Sequence, residues 1–175
     1  KHTFDEKRAR KLVRTFLLTL QAVHNKAIIH RDIKPENILI RTDGKDELIL
    51  LDFGASKSVS DSSKPAHKFC GTLGFMAPEI FTGNPYSYKV DLFSFGCVIF
   101  RMLIGRTVFQ GYSDRKSLLL LNKKCQLDFL DLKWLTLSTT ALEFVQGLLH
   151  PDPDLRMDCA AALEHPWLDP RTEHL

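Results

Sequence analysis

Residues 30–37 read HRDIKPEN and residues 52–54 read DFG. Between them they supply two carboxylates, an amide and an ammonium, on Asp32, Asp52, Asn37 and Lys34. That set is too sparse for a protein-only cage around Mg²⁺. It suits an ion that keeps several waters and takes its remaining oxygens from substrate phosphates. The chemistry to expect is therefore that of nucleotide phosphates.

Such side chains converge best from a loop held between regular elements. HRDIKPEN lies between two short β-branched runs, AIIH and NILI. NILI and LILL are separated by the turn-forming RTDGKDE, which predicts a small hairpin. Upstream, TFDEKRARKLVRTFLLTLQAVHN places Ala9, Leu12, Val13, Phe16, Leu20 and Val23 at helical intervals, with Thr3 and Glu6 spaced as a capping box. Residues 55–76 are rich in Ser, Lys and Gly without period, which predicts a long loop, and loops of that length are commonly functional. KVDLFSFGCVIFRMLIG is apolar on nearly every face and predicts a buried central helix. Weaker helices are expected around DRKSLLLLNKK, from a Thr140–Glu143 capping box to Leu149, and in MDCAAALEH. The expected class is mostly α with a small β-hairpin.

The bulk composition narrows the function classes. At 44% hydrophobic and 26% charged, the 175 residues are those of an ordinary globular domain rather than a disordered or collagen-like chain. The net charge of +3 is concentrated in KRARKLVR, which reads as a solvated helix face, with a docking patch as the second reading. No aromatic-studded basic groove points to nucleic acid. No apolar run approaches the ~20 residues of a membrane span, and Lys1 opens onto a charged helix rather than a signal peptide. An intracellular protein, cytoplasmic or nuclear, is expected. Cys70, Cys97, Cys125 and Cys159 show no CxxC spacing and read as reduced thiols, mostly in the core.

The motifs resemble, in order and spacing, those of the protein kinase family. HRDIKPEN resembles its catalytic loop, DFG its metal-binding triplet and APE at 77–79 the close of its activation segment. The likeness runs on through CGTLGFMAPE, DLFSFG, Arg156 in DPDLR and HPW at 165–167, over essentially the whole chain. It implies that residues 1–175 are a kinase-like large lobe, beginning at the helix before the catalytic loop. The small lobe is absent from this chain, because nothing matches the Gly-rich loop, the VAIK lysine or its helix glutamate.

The resemblance also assigns roles, with ATP and Mg as the implied cofactors. Asp32 would take the proton of the attacking hydroxyl, and Lys34 would neutralise charge on the transferring phosphoryl group. Asn37 and Asp52 would hold magnesium, and Leu39 would floor the adenine pocket. His30 and Phe53 resemble the stacked residues that link the lobes, Asp91 would bind catalytic-loop amides, and Glu79 would pair with Arg156. Lys34 and Thr72 are as in serine/threonine kinases, so the partner is a protein substrate with a Ser or Thr acceptor. Glu36 resembles the glutamate that faces arginine in basic-directed kinases, or else serves local loop structure.

Within the family, the segments around DFG and APE and the closing LLHPDPDLRMDCAAALEHPWL look most like the calcium/calmodulin-dependent group. No EF-hand loop occurs in the sequence, and regulation by calcium or calmodulin is left open by the resemblance. Lys68 stands where relatives carry a phosphorylatable threonine, beside the Arg31 that would bind the phosphate, so no phosphate switch is expected there. Ser56, Ser58, Ser60, Ser62 and Ser63 lie upstream on the same loop. Two other readings stay open. One is a non-catalytic kinase-like interaction module. The other is a small-molecule phosphotransferase, disfavoured because such proteins typically lack the APE segment and an arginine at position 31.

Overall fold

The computed structural model describes residues 3–43, 46–59, 66 and 68–169. Its first element, α1 (Glu6–His24), buries Ala9, Leu12, Val13, Phe16, Leu17 and Leu20 along one stripe. The helix begins two residues later than a Thr3 cap would start it. Asp5 is the N-cap, and its carboxylate accepts from Arg8 N at 2.8 Å. Glu6, freed from capping, reaches across the fold. It accepts from Ser138 N at 2.9 Å, Ser138 Oγ at 2.6 Å and Trp167 Nε1 at 2.9 Å.

Four short strands follow. β1 (Ile28–Ile29) pairs antiparallel with β4 (Lys57–Ser58), while β2 (Ile38–Arg41) and β3 (Glu47–Leu50) form a hairpin from Ile38↔Leu50 to Arg41↔Glu47. The hairpin agrees with the sequence expectation. β4 does not, since it falls inside the expected loop, and two residues are too few to carry an alternating signal. Arg8 corrects a second expectation. Its guanidinium grips Asp46, just before β3, at 2.8 and 2.9 Å, and Arg10 pairs with Glu6 at 2.6 Å, so the basic cluster is only partly a solvated face. Lys7, Lys11 and Arg14 are exposed.

The centre is α2 (Lys89–Ile104), buried on nearly every residue, including Asp91 and Ser94. It stops at Gly105, whose φ of 85° is left-handed, where a Cβ would come within 2.9 Å of Thr3 Cγ2. α3 (Arg115–Lys123) opens with a capping box between Asp114 and Ser117. α4 (Thr139–Leu148) is capped by Ser138, not Thr140, because Ser138 is the residue that Glu6 holds. α5 (Cys159–Glu164) begins at Asp158. α1, α4 and the buried Trp167 thus close around α2 as one core.

Cys97 and Cys159 are buried and Cys70 and Cys125 half-buried, all as free thiols. Burial pushes the Cys125 thiol up to about 11 and that of Cys159 to about 12, so neither is a ready nucleophile near neutral pH. Among the described residues no helix is long and apolar enough to cross a membrane.

Candidate active site

Two backbone positions near the site are unusual. Arg31 has φ 70°, and Asp52, beyond β3, has φ 58°, left-handed values that a non-glycine residue adopts only when its surroundings compel it. At Arg31 the compelling group is Asp91 on α2. Its fully buried carboxylate accepts from His30 N at 2.9 Å, Arg31 N at 2.8 Å and His24 Nε2 at 2.9 Å. Satisfying a buried charge with three donors is what makes it tolerable there, and it fixes the turn that aims Asp32.

His30 ties this loop to the DFG stretch. Its Nδ1 accepts from Asp32 N at 3.3 Å, which leaves Nε2–H to donate to Leu51 O at 3.0 Å. The ring meets Phe53 edge-on at 4.9 Å. Leu51 N in turn donates to Asn37 O at 2.9 Å, so Asn37 and the start of DFG stand beside each other at the open end of the β2–β3 hairpin.

Asp32, Lys34, Asn37 and Thr72 form one cluster. Lys34 Nζ lies 2.8 Å from Asp32 Oδ2 and donates to Thr72 Oγ1 at 2.9 Å. Thr72 Oγ1 donates to Asp32 Oδ1 at 2.7 Å, and Asn37 Nδ2 donates to both Asp32 O (2.8 Å) and Asp32 Oδ2 (3.1 Å). Burial pushes the Asp32 carboxyl up, but the bonds and charge from Lys34, with Thr72 and Asn37, together outweigh it and hold the group below its ordinary value. Asp32 is a stable carboxylate with a hydroxyl already seated on one oxygen.

With its NH₂ turned to Asp32, Asn37 presents only its amide oxygen as an acceptor. The Asp52 carboxylate is exposed, with Oδ1 taking Gly54 N at 3.0 Å. Two hard oxygens at one hairpin end, with open space beyond, fit a magnesium ion that is otherwise held by waters and phosphates. Among the described residues no cluster of three or more His, Cys, Asp or Glu could hold a metal without such help. Leu39, Leu51 and Phe53 are exposed at 52%, 41% and 44%, an apolar surface beside these oxygens. Glu36 is exposed and has no ion pair among the described residues.

Glu79 and Arg156 lie away from the cluster and tie the APE stretch to the segment after α4. Arg156 is buried and uses every arm. It meets Glu79 at 2.6 and 2.9 Å, and it donates to His150 O at 2.9 Å, Lys89 O at 3.0 Å and Pro151 O at 3.2 Å. Its guanidinium also lies over the Phe93 ring. Arg31 is engaged with backbone, donating to Ala55 O at 2.7 Å and Ser56 O at 3.3 Å. Its Nη1 meets Tyr86 Oη at 3.5 Å, and that hydroxyl donates to Lys68 O at 2.7 Å. Tyr86 thus links the Arg31 guanidinium to the main chain of Lys68. Ser60, Ser62 and Ser63 lie outside the described residues.

Sequence reasoning missed Tyr86, His24 and Asn122. The first two carry no periodic signal. Asn122 carried one, as a polar residue closing the apolar run LLLL on α3, and it is fully buried, binding Gly74 N at 2.8 Å and Met76 O at 2.6 Å.

Comparison with known proteins agrees with this architecture. The protein kinase domain family matches residues 1–168. A calcium/calmodulin-dependent protein kinase type 1 of Caenorhabditis briggsae is 35% identical over 175 residues, covering 99% of this chain and 48% of that protein. Its namesake in Macrobrachium nipponense is 35% identical over 169 residues, 96% of this chain and 48% of its own length. A probable serine/threonine-protein kinase, fhkE, of Dictyostelium discoideum is 34% identical over 177 residues, 97% of this chain and 25% of its own length. The chain spans about half the length of the first of these relatives.

Proposed function

This chain belongs to the protein kinase domain family, and from that premise we propose that it is the large lobe of a serine/threonine kinase using ATP and Mg. The observation that carries the reading is the Asp32 cluster, in which a hydroxyl, a carboxylate and an ammonium sit within 2.7–2.9 Å of one another. In transfer, a substrate serine or threonine hydroxyl donates its hydrogen bond to Asp32, as Thr72 does here. The oxygen attacks the terminal phosphorus of ATP, the bond to the leaving diphosphate oxygen breaks, and the hydroxyl proton passes to Asp32. Lys34, 2.8 Å from Asp32 Oδ2, would offset the charge on the transferring group.

Asn37 and Asp52 are the residues that would hold magnesium, whose part is to neutralise phosphate charge. Leu39 lies against the adenine in this reading, and His30 and Phe53 support the contact with a small lobe supplied from outside residues 1–175. That part rests on the relatives being about twice as long as the match. Regulation by calcium and calmodulin belongs to the same proposal, and its support is the names of those relatives.

The test is phosphorylation of serine and threonine peptides by the full-length protein carrying this chain, with ATP and Mg²⁺. Asp32→Ala and Asp52→Ala should each abolish transfer, the first through the hydroxyl and the second through metal affinity. Unchanged turnover in either variant would overturn the assignment. No turnover in the unaltered protein would favour a non-catalytic interaction module.

A further inference from the structure

The Asp91 carboxylate, which sets the turn ahead of Asp32, has a third donor besides the amides of His30 and Arg31. That donor is His24, the last residue of α1, whose Nε2 stands 2.9 Å from Asp91 Oδ2. A carboxylate only accepts, so Nε2 carries the ring proton, and in the neutral ring Nδ1 is left as an acceptor. The group facing Nδ1 is the thiol of Cys159, with Sγ 3.7 Å away, within hydrogen-bond reach of sulfur.

The His24 ring is thereby held from three sides. Tyr88, just before α2, lies against it with ring centroids 5.1 Å apart. Asp91 on α2 takes one nitrogen, and Cys159, the first residue of α5, takes the other. Asp91 is fully buried, and the side chains of His24 and Cys159 nearly so. Hydrogen bonds in such a setting are stronger than the same bonds in water.

Two further observations bear on the thiol. Burial, with Asp158 and Asp91 adding to it, pushes its pKa up to about 12, so the sulfur keeps its hydrogen and has one to donate. Cys159 and His24 also share the wall of a cavity of about 190 Å³, lined besides by Gln21, Asn25, Tyr88 and Asp158. That space is polar and roomy enough for water. Cavity water is therefore the partner that would compete for Nδ1 if the thiol were removed.

We propose that Cys159 is a positioning residue for the catalytic loop: its S–H holds His24, His24 holds Asp91, and Asp91 holds the amides of His30 and Arg31 that aim Asp32. The inference deepens the kinase reading and rests on it for the effect on turnover. The relay runs from α5 to the loop through contacts of 3.7, 2.9 and 2.8 Å. Cys159 bonds no residue of the Asp32 cluster directly, so its loss should act on kcat and leave KM in place. For one neutral hydrogen bond the expected fall in kcat is about two- to tenfold.

The experiment uses the full-length protein carrying this chain, with Cys159→Ala, His24→Gln and the two combined. Cys159→Ala should lower kcat as stated when His24 is present and add nothing beside His24→Gln, which offers the thiol no ring nitrogen. Cys159→Ser keeps a donor and should retain more of kcat than Cys159→Ala, with thermal melting reporting the fold. An equal loss in both His24 backgrounds, or no loss at all, would overturn the inference and leave Cys159 as core packing. Nuclear magnetic resonance of ¹⁵N-labelled histidine rings gives a second readout that needs no turnover. In Cys159→Ala the His24 Nδ1 resonance should move, and the Nε2 proton should exchange with water about two- to tenfold faster. Unchanged ring signals would overturn the inference, whatever the protein phosphorylates. If the ring signals change as expected in a protein that never phosphorylates peptides, the relay stands and the kinase reading falls.

Discussion

Asp32 is a half-buried carboxylate whose neighbours keep it charged. Burial alone would raise its pKa, and Lys34, Thr72 and Asn37 together more than reverse that. A lowered pKa keeps the base form present as pH falls, down through the usual carboxylate value of about 3.9. The acid limb of kcat/KM should therefore not fall within the pH 5–8 range on account of Asp32. In Lys34→Met the largest opposing contribution is gone and burial remains, so the acid limb should move upward in the residual activity. A limb that stays put would mean that Lys34 does not set the charge state of Asp32. Glu36 makes a second prediction at this scale. Exposed and unpaired among the described residues, it is open to a substrate guanidinium, so Glu36→Ala should raise KM for arginine-containing peptides by about two- to fivefold while leaving kcat alone. A peptide array with the same selectivity before and after the change would make Glu36 a local loop residue. The proposed reacting residues were legible in HRDIKPEN and DFG because they lie close in sequence. Tyr86 and His24 were not, because their partners Arg31 and Asp91 are 55 and 67 residues away.

Elements are tied here by single side chains that each serve several segments. α2 was legible at once, since a helix apolar on all faces has no choice but the centre. The starts of α1 and α4 were misread for one shared reason. Local spacing suggested two separate capping boxes, whereas Glu6 bonds Ser138, and a bond across 132 residues leaves no local signature. Glu6 thereby joins α1, the start of α4 and Trp167, and its hydrogen bonds, led by Ser138, outweigh burial to lower its pKa below 4.5. A depressed folded pKa contributes stability that is present above the unfolded value and lost as pH falls through the folded one. Thermal stability should accordingly drop on acidification below about pH 4.5, and Glu6→Gln should flatten that slope. Melting curves from pH 6 to pH 3 that run parallel for the two proteins would contradict this. The Glu79–Arg156 pair is the heavier tie. Breaking one partner of a buried pair costs about 3–5 kcal/mol, so Arg156→Ala should lower Tm by roughly 10 °C or more and fail by unfolding before catalysis is affected.

At the scale of the whole molecule, the core and the site surface make opposite demands. α1, α2, α4 and Trp167 form a closed core, and the bracing pairs lie inside it. On the side of the hairpin and DFG, Leu39, Leu51 and Phe53 are exposed at 52%, 41% and 44%. Apolar side chains in one region at that exposure invite association, and the same opening leaves Asp52 exposed to water and Asp32 only partly covered, where electrostatic stabilisation of a transferring phosphoryl group is weakest. Residues 1–175 expressed alone should therefore self-associate in size-exclusion chromatography and show no measurable peptide phosphorylation. Paired substitution of Leu39 and Phe53 by serine should relieve the association without restoring activity, because solubility and a water-excluding cleft are separate requirements. A monomeric, unaltered 1–175 that phosphorylated peptides rapidly would refute the expectation. It would place enough of the nucleotide site on this hairpin and loop for the exposed side chains to be sufficient cover.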